Sequence, residues 1–474
     1  MKNNPLRIAT VIILISLFLI GCTSTPQGDQ TQLIETDNDA ISVVEEVLEE
    51  DVSNSDIDIE IPRFTIKADV NLQGELSALY SAYFDGELPV FIMDDPDLLV
   101  TAAPEIAAER PVVYPTFLPD TILIPQIDNE DIDNFIQFAI SPDGQQVLIE
   151  IGALPEILVI TDQAGRQLEI HQPIRQVLSA YGPATAVIYS VNGWDRLVAA
   201  SYLGARDPQG AEAMERIDPR FPELVGDDLF SQQEFDLEEA AALEPNLIIG
   251  ASRSSWIESV EQLGVPVFLV EAETAQQLRE TALLIGELFG PHSYAQAQAW
   301  VNYFDWVIDT IQKQWSENPM EPKPQVLFSG TEPLRVASGD MYQTEIIESA
   351  GGISVSAELS GYWNDVNLEQ VVIWDPELII IPPYGGAKVE TITESQEWQI
   401  IDSVAFGQVF RMPKLVAPWD TPAPDSVLGI VWLAELLHPE IVELTCASET
   451  NFFYNTFYNY AISGDEIGAI CTLN

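Results

Sequence analysis

The chain has 474 residues, 47% of them hydrophobic, and its 75 Asp and Glu against 19 Lys and Arg give a formal net charge of -56. That length calls for two or three folded units, each able to bury a core. The charge is spread along the chain; it repels nucleic acid and anionic lipid headgroups as partners, and it makes a basic residue in a cleft conspicuous.

Lys2 and Arg7 flank a polar start, and an apolar run follows from Ile8 to Ile20. The run is short for a membrane span and suits a signal-peptide core. It ends in Leu19-Ile20-Gly21-Cys22, which resembles the lipobox of bacterial lipoproteins. That resemblance implies a signal peptide over 1–22, a lipidated Cys22, and a protein held outside the cytoplasm by its acyl chains, in the periplasm or on the outer face of the cell membrane. Residues 23–61 are rich in Thr, Gln, Asp, Asn, Glu and Ser and hold no aromatic residue, so they read as an acidic tether with a transient helix near Ala40 to Glu50.

Residues 62–157 read as a small α/β module. Arg63 to Val70 and Val90 to Met93 are expected strands; Leu72 to Phe84 and Asp133 to Ala139 are expected helices. Ser141 then caps a further helix with Pro142 at its first position, ending at Gly152.

Beyond Ile160, short apolar runs alternate with helical stretches, which implies parallel sheets with crossover helices. Strands are expected at Gln176 to Ser179, Leu197 to Ala200, Leu247 to Gly250 and Val267 to Val270, then at Gln325 to Ser329, Leu378 to Ile381 and Gln408 to Met412. Helices are expected at Ala184 to Val191 and Thr274 to Phe289. Between the two strand sets lies one segment without Pro or Gly, Ser293 to Trp315. Its Ala297, Trp300, Val301, Phe304, Ile308 and Ile311 fall at helical spacing, for a helix roughly 33 Å long. The expected fold class is therefore α/β, with two Rossmann-like lobes (158–291 and 319–445) joined by one long helix (292–318), preceded by the module and followed by a helical tail (446–474).

Cys446 and Cys471 are the two later cysteines; an oxidising compartment permits a disulfide between them, and two free thiols fit equally well. His171, His292 and His438 lie far apart without ligand spacing, and there is no Ser/His/Asp order, Cys/His cluster or Gly-rich phosphate loop. No catalytic residue, metal site or cofactor is expected, and no enzyme activity.

Two resemblances carry the functional reading. FIQFAISPDGQQVLIEIGALP (Phe135 to Pro155) resembles the late part of type II molybdate- and sulfate-binding proteins, which implies a shortened oxyanion-binding fold in the module; a generic capped helix pair accounts for the same residues. Over Ile160 to Phe457, five pieces in order resemble class III solute-binding proteins of ABC importers: ITDQAGRQLEIHQPIRQVLSAYGPATAVIYSVNGWDRLVAAS, FDLEEAAALEPNLIIG, QLGVPVFLV, IIESAGGISVSAELSGYWNDVNLEQVVIWDPELIII and PWDTPAPDSVLGIVWLAELLHPE. This resemblance implies capture of a metal chelate, most simply an iron–siderophore, in a cleft between lobes and delivery to a permease with its ATPase. The alternatives are molybdate or tungstate, cobalamin or haem, and, from other classes, a chelatase-like enzyme or a sensor lipoprotein without a transporter.

The resemblance further implies that Glu238 and Glu369, at equivalent places in the two lobes, dock onto permease arginines. Ligand contacts are expected where strands end. Lobe 1 offers Tyr181, Tyr202, Arg206, Arg253, Ser254 and Trp256; lobe 2 offers Arg335, Tyr342, Trp363, Tyr384, Trp419 and Asp420. Trp and Tyr supply stacking area for a flat chelate and Arg neutralises a carboxylate or oxyanion. Core or rim packing is the competing expectation for each aromatic, and Trp194, Trp374 and Trp432 are assigned to the core. The aromatic run Asn451 to Tyr460 resembles the family's final helix packed on a lobe, an exposed membrane-interface patch being the alternative.

Overall fold

Each lobe is built on parallel strands because its apolar runs are short, continuous and separated by crossover helices. The computed structural model describes residues 62–103, 110–201, 208–225, 235–318, 322–386 and 388–472. Cys22, the tether, Tyr202 and Arg206 lie outside the described residues.

The module holds β1 (Thr65–Lys67), α1 (Gln73–Tyr83), β2 (Val90–Phe91), β3 (Leu98–Ala102), β4 (Thr116–Leu118), β5 (Thr121–Pro125), α2 (Glu130–Ile140) and α3 (Pro142–Glu150). Its sheet runs β2-β1-β3-β5-β4. β1 pairs in parallel with β2 and β3, whereas β5 is antiparallel to β3 and β4. Phe64, Tyr80, Phe84 and Phe135 fill the core between sheet and helices, with ring centroids 4.5–6.3 Å apart. Ser141 caps α3 by accepting from the Gly144 N–H. β3, β4 and β5 were not expected: Pro104, Pro111, Pro115, Pro119 and Pro125 break this stretch into pieces too short for a periodic signal.

An antiparallel hairpin, β6 (Ile157–Thr161) and β7 (Gln167–His171), leads into lobe 1. There β8 (Val177–Ser179), β9 (Leu197–Ala200), β10 (Leu247–Ala251) and β11 (Val267–Val270) form a parallel sheet ordered β11-β10-β8-β9. The helices that position the site are α4 (Gly182–Ser190), α5 (Leu237–Ala242) and α6 (Ala275–Phe289). Gly290 ends α6 at φ 100°, a conformation open to glycine, and Pro291 starts α7 (Pro291–Ser316). α7 is 26 residues long and spans both lobes. Its buried Ala297, Trp300, Phe304, Val307 and Ile311 recur every three or four residues, and each large side chain so buried stabilises by about 1.5–3 kcal/mol.

Lobe 2 repeats the plan. β12 (Gln325–Phe328), β14 (Ile353–Ser354), β16 (Leu378–Ile381) and β17 (Val409–Arg411) form a parallel sheet ordered β14-β12-β16-β17, and β13 (Arg335–Val336) pairs antiparallel with β15 (Asn364–Asp365). Its helices include α8 (Tyr342–Ser349), α9 (Leu368–Trp374) and α10 (Ser426–Leu437), and α11 (Cys446–Phe457) begins the tail. One apolar cluster runs from Ile249 in lobe 1 through Trp300 to Ile380 in lobe 2.

The tail is packed, not exposed. Phe453, Tyr454, Phe457 and Tyr458 are buried, with Phe452, Phe453 and Phe457 against the Tyr303 ring. Tyr454 and Tyr458 donate their hydroxyls to the buried Asp425 at 2.6 and 2.9 Å. Cys446 and Cys471 are joined as a disulfide. Polar contacts seat the module on the rest, among them Gln145 Nε2 donating to the Phe289 carbonyl at 2.8 Å, Arg175 pairing with Asp143 at 2.6 Å, and Arg110 pairing with Glu449 of α11.

Candidate ligand cleft

Parallel strands bring their following loops to one carboxyl edge, and each lobe presents such an edge. In lobe 1, Tyr181 follows β8, Arg253 follows β10 and Glu273 follows β11. Tyr181 donates its hydroxyl to Glu273 Oε1 at 3.0 Å. Arg253 ion-pairs with Glu273 and lies 5.4 Å over the Tyr181 ring. Burial, and then the Glu273 charge, holds the Tyr181 hydroxyl well above its usual range, so it stays protonated. The Arg253 side chain is 42% exposed, which leaves part of the guanidinium on the edge.

In lobe 2, Gly330 follows β12, and a Cβ there would lie 2.9 Å from the Trp363 ring and 2.8 Å from the Arg335 carbonyl. The register Arg335↔Asp365 holds Arg335 beside the strand that Trp363 leads into. Trp363 is half-buried and its ring centroid is 6.4 Å from that of Phe328. Arg335 is exposed. Tyr384, following β16, donates to Asp420 Oδ2 at 2.7 Å, and Gln343 Nε2 of α8 donates to the Asp420 carbonyl at 3.0 Å.

Asp420 is fully buried, and burial pushes its carboxyl from 3.8 up to about 6. Its Oδ1, Gln343 Oε1 and Trp419 Nε1 are buried without hydrogen-bond partners among the described residues. Buried polar atoms are normally satisfied, so these three on adjoining residues are exceptions within the core of lobe 2.

The two edges meet. Ala275, the first residue of α6, donates its backbone N–H to Glu345 Oε2 of α8 at 2.8 Å. This bond brings the Glu273 loop beside the helix that carries Gln343.

Three expected ligand contacts are placed in the core instead. Trp256 is buried, its ring filling the space where Gly250 lacks a side chain and lying 4.7 Å from Phe235. Tyr342 is buried with its hydroxyl 2.6 Å from Ser426 Oγ. Trp419 is fully buried beneath α10, its carbonyl closing on Gly429. All three follow a strand or loop end in the sequence, but large apolar rings are drawn under the sheets where area is available. Ser254 is buried as well. Gln343, Glu273 and Glu345 were not expected; Gln343 and Glu345 sit inside a helix with no local motif to single them out.

Glu238 and Glu369 are exposed in the first turns of α5 and α9. The caps are analogous: the Asp236 side chain accepts from the Glu238 and Glu239 N–H groups, and that of Asn367 from Gln370 N–H. Both carboxylates sit at helix N-termini, where the dipole favours negative charge. Among the described residues no group of three His, Cys, Asp or Glu is arranged to hold a metal ion, and no helix is long and apolar enough to cross a membrane.

Residues 185–415 match the family model of periplasmic binding proteins. The vitamin B12-binding protein of Yersinia pestis (strain Pestoides F) is 26% identical over 250 residues, which cover 52% of this chain and 78% of that protein. The vitamin B12-binding protein of Photorhabdus laumondii is 28% identical over 226 residues, covering 47% and 75%. Among solved structures, a periplasmic solute binding protein from Veillonella parvula superposes with a TM-score of 0.59 at 23% identity, covering 66% of this chain and 96% of that one. The molybdate periplasmic binding protein MolA of Haemophilus influenzae superposes with a TM-score of 0.56 at 20% identity, covering 65% and 99%. At these identities the structures establish a shared fold, the class III periplasmic-binding fold.

Proposed function

We propose, from the premise that residues 185–415 belong to the periplasmic binding protein family, that this protein captures a metal chelate between its lobes and delivers it to the permease of an ABC importer. The observation that carries the reading is the cation–aromatic pair on the carboxyl edge of lobe 1, Arg253 over Tyr181, together with the half-buried Trp363 and the exposed Arg335 on the edge of lobe 2. Such pairs suit a flat guest whose periphery bears carboxylate or amide oxygens. The half-buried Tyr384 would meet a hydrogen-bonding group at its edge. A bare tetrahedral oxyanion fits less well, because the Arg253 charge is already matched by Glu273.

A ferric siderophore is the simplest guest. A corrinoid is the second reading, favoured by the vitamin B12-binding proteins that are 26–28% identical to this chain. Outside the cytoplasm, a diacylglycerol on Cys22 would tether the protein, and Glu238 and Glu369 would engage basic residues of the permease, one per lobe.

Calorimetric titration of the purified protein with ferric hydroxamate and catecholate siderophores, cyanocobalamin, haem and molybdate tests the reading. One chelate should bind with a one-to-one stoichiometry, and Arg253→Ala and Trp363→Ala should each weaken it by about tenfold. Binding of molybdate alone would overturn the chelate reading. Replacing both Glu238 and Glu369 with Ala should abolish uptake while leaving binding intact; uptake at the wild-type rate would end the docking role.

A further inference from the structure

Tyr362 is 72% exposed, yet the backbone on both sides of it is pinned. Before it, Gly361 is bonded through both of its backbone groups: the N–H donates to Asp340 Oδ2 at 2.7 Å, and the carbonyl accepts from Ser338 Oγ. After it, Asn364 Nδ2 donates to the Ser360 and Tyr362 carbonyls at 3.2 and 2.9 Å. Asn364 also opens β15, whose pairing with β13 ties the loop to the strand that follows β12. Gly361 holds φ 84° with open space where a Cβ would stand, so the turn is set by its backbone bonds and not by packing. The next residue, Trp363, is half-buried, with its ring against Gly330. Two successive aromatics therefore part, the indole lying in against the carboxyl edge of lobe 2 and the phenol projecting from it. A ring left in water adds nothing to the core, but the chain that carries it is held by four hydrogen bonds. That is the arrangement of a contact residue ordered before its guest arrives.

We propose that Tyr362 is a ligand-contact residue of the lobe 2 edge, stacking on a conjugated ring of the guest, and that Asp340 is the residue that positions it. The inference rests on the reading that the guest lies between the two carboxyl edges. Tyrosine offers a large contact area with only two side-chain torsions to fix. Offset or edge-on contact between rings favours a conjugated guest over an aliphatic one of equal size. Asp340 acts through Gly361. Without its carboxylate the Gly361 N–H loses a charged acceptor, and the turn that aims Tyr362 loses one of its ties.

The purified full chain is titrated by calorimetry with ferric enterobactin and cyanocobalamin, which carry conjugated rings, and with ferrichrome, which carries none. Tyr362→Ala should weaken the conjugated chelate that binds by roughly three- to tenfold, and Tyr362→Phe should stay within about twofold of wild type. Asp340→Ala should cost a similar factor, and Asp340→Asn, which keeps an acceptor for the Gly361 N–H, should recover most of it. Asp340→Ala should add nothing once Tyr362 is already Ala, because it works only through that ring. Tyr362 and Asp340 are both exposed, so every variant should melt within a few degrees of wild type. An additive loss in the double variant, or ferrichrome as the only guest, overturns the proposal. So does a loss on Trp363→Ala with none on Tyr362→Ala, which leaves the cleft reading standing. Uptake reduced by Tyr362→Ala at unchanged affinity assigns the ring to the permease and also overturns it. Failure of all three chelates to bind the wild type overturns the cleft reading and this inference together.

Discussion

Glu345 of lobe 2 accepts the backbone N–H of Ala275 in lobe 1 at 2.8 Å, so a charge-assisted hydrogen bond closes the two carboxyl edges on one another. Ala275 is the first residue of α6, and the positive end of that helix adds to the attraction. Glu345→Ala should therefore favour an open arrangement and weaken chelate binding about tenfold, since a hydrogen bond to a charged group contributes roughly 1.5–3 kcal/mol. Calorimetry measures the affinity and small-angle X-ray scattering the opening. An affinity equal to wild type would show that the bond has no part in closure.

Asp420 and Asp425 are fully buried, and burial raises both carboxyls from 3.8 to about 6. The folded state holds these protons more tightly than the unfolded one. The stability they contribute is complete below about pH 4 and is lost as pH rises through about 6. Two units correspond to roughly 3 kcal/mol per group. Asp425→Asn should remove its share, so that the difference in unfolding free energy between wild type and variant falls by about 3 kcal/mol from pH 4 to pH 7. Chemical denaturation across that range checks the slope; a constant difference would refute it.

Glu449 is fully buried, accepts the Tyr303 hydroxyl at 2.9 Å and pairs with Arg110 from the module side. Arg110→Ala leaves that carboxylate with less compensation. Because Arg110 is 42% exposed, water replaces part of what is lost, and the expected cost is about 1–3 kcal/mol. Scanning calorimetry should show a melting temperature lower by roughly 2–6 °C. Glu449→Gln combined with Arg110→Ala should recover part of it.

Gly330 leaves room for the Trp363 ring, 2.9 Å from where its Cβ would stand, and the Arg335 carbonyl at 2.8 Å closes the other side. Gly330→Val must displace the indole, since backbone cannot yield as a side chain does. Chelate affinity should fall more than tenfold while circular dichroism is unchanged, with Gly330→Ala between. An unaltered affinity in the Val variant would remove Trp363 from the site.

The two-lobed plan was readable because its signals are local. Leu247–Ala251, Val267–Val270 and Leu378–Ile381 are continuous apolar runs, and the stripe from Ala297 to Ile311 keeps one face of a 26-residue helix. The module's β3, β4 and β5 were not readable, since proline punctuation cuts them into strands of three to five residues, too short for a periodic signal. Site residues divide similarly. Tyr181, Arg253 and Tyr384 stand at the strand ends where they were expected, because strand ends can be located in the sequence. Trp256, Tyr342 and Trp419 could not be sorted from them, because a ring's burial depends on gaps such as that at Gly250, which appear only in three dimensions. Glu345 is found only by its partner in the other lobe.

Asp425 waits for donors that arrive 29 and 33 residues later, Tyr454 and Tyr458, and the Tyr458 hydroxyl also reaches the Ala186 carbonyl of lobe 1 at 3.5 Å. A chain lacking α11 would therefore leave this buried acid with only the Ala417 N–H at 3.3 Å, and would lack this seam to the first lobe.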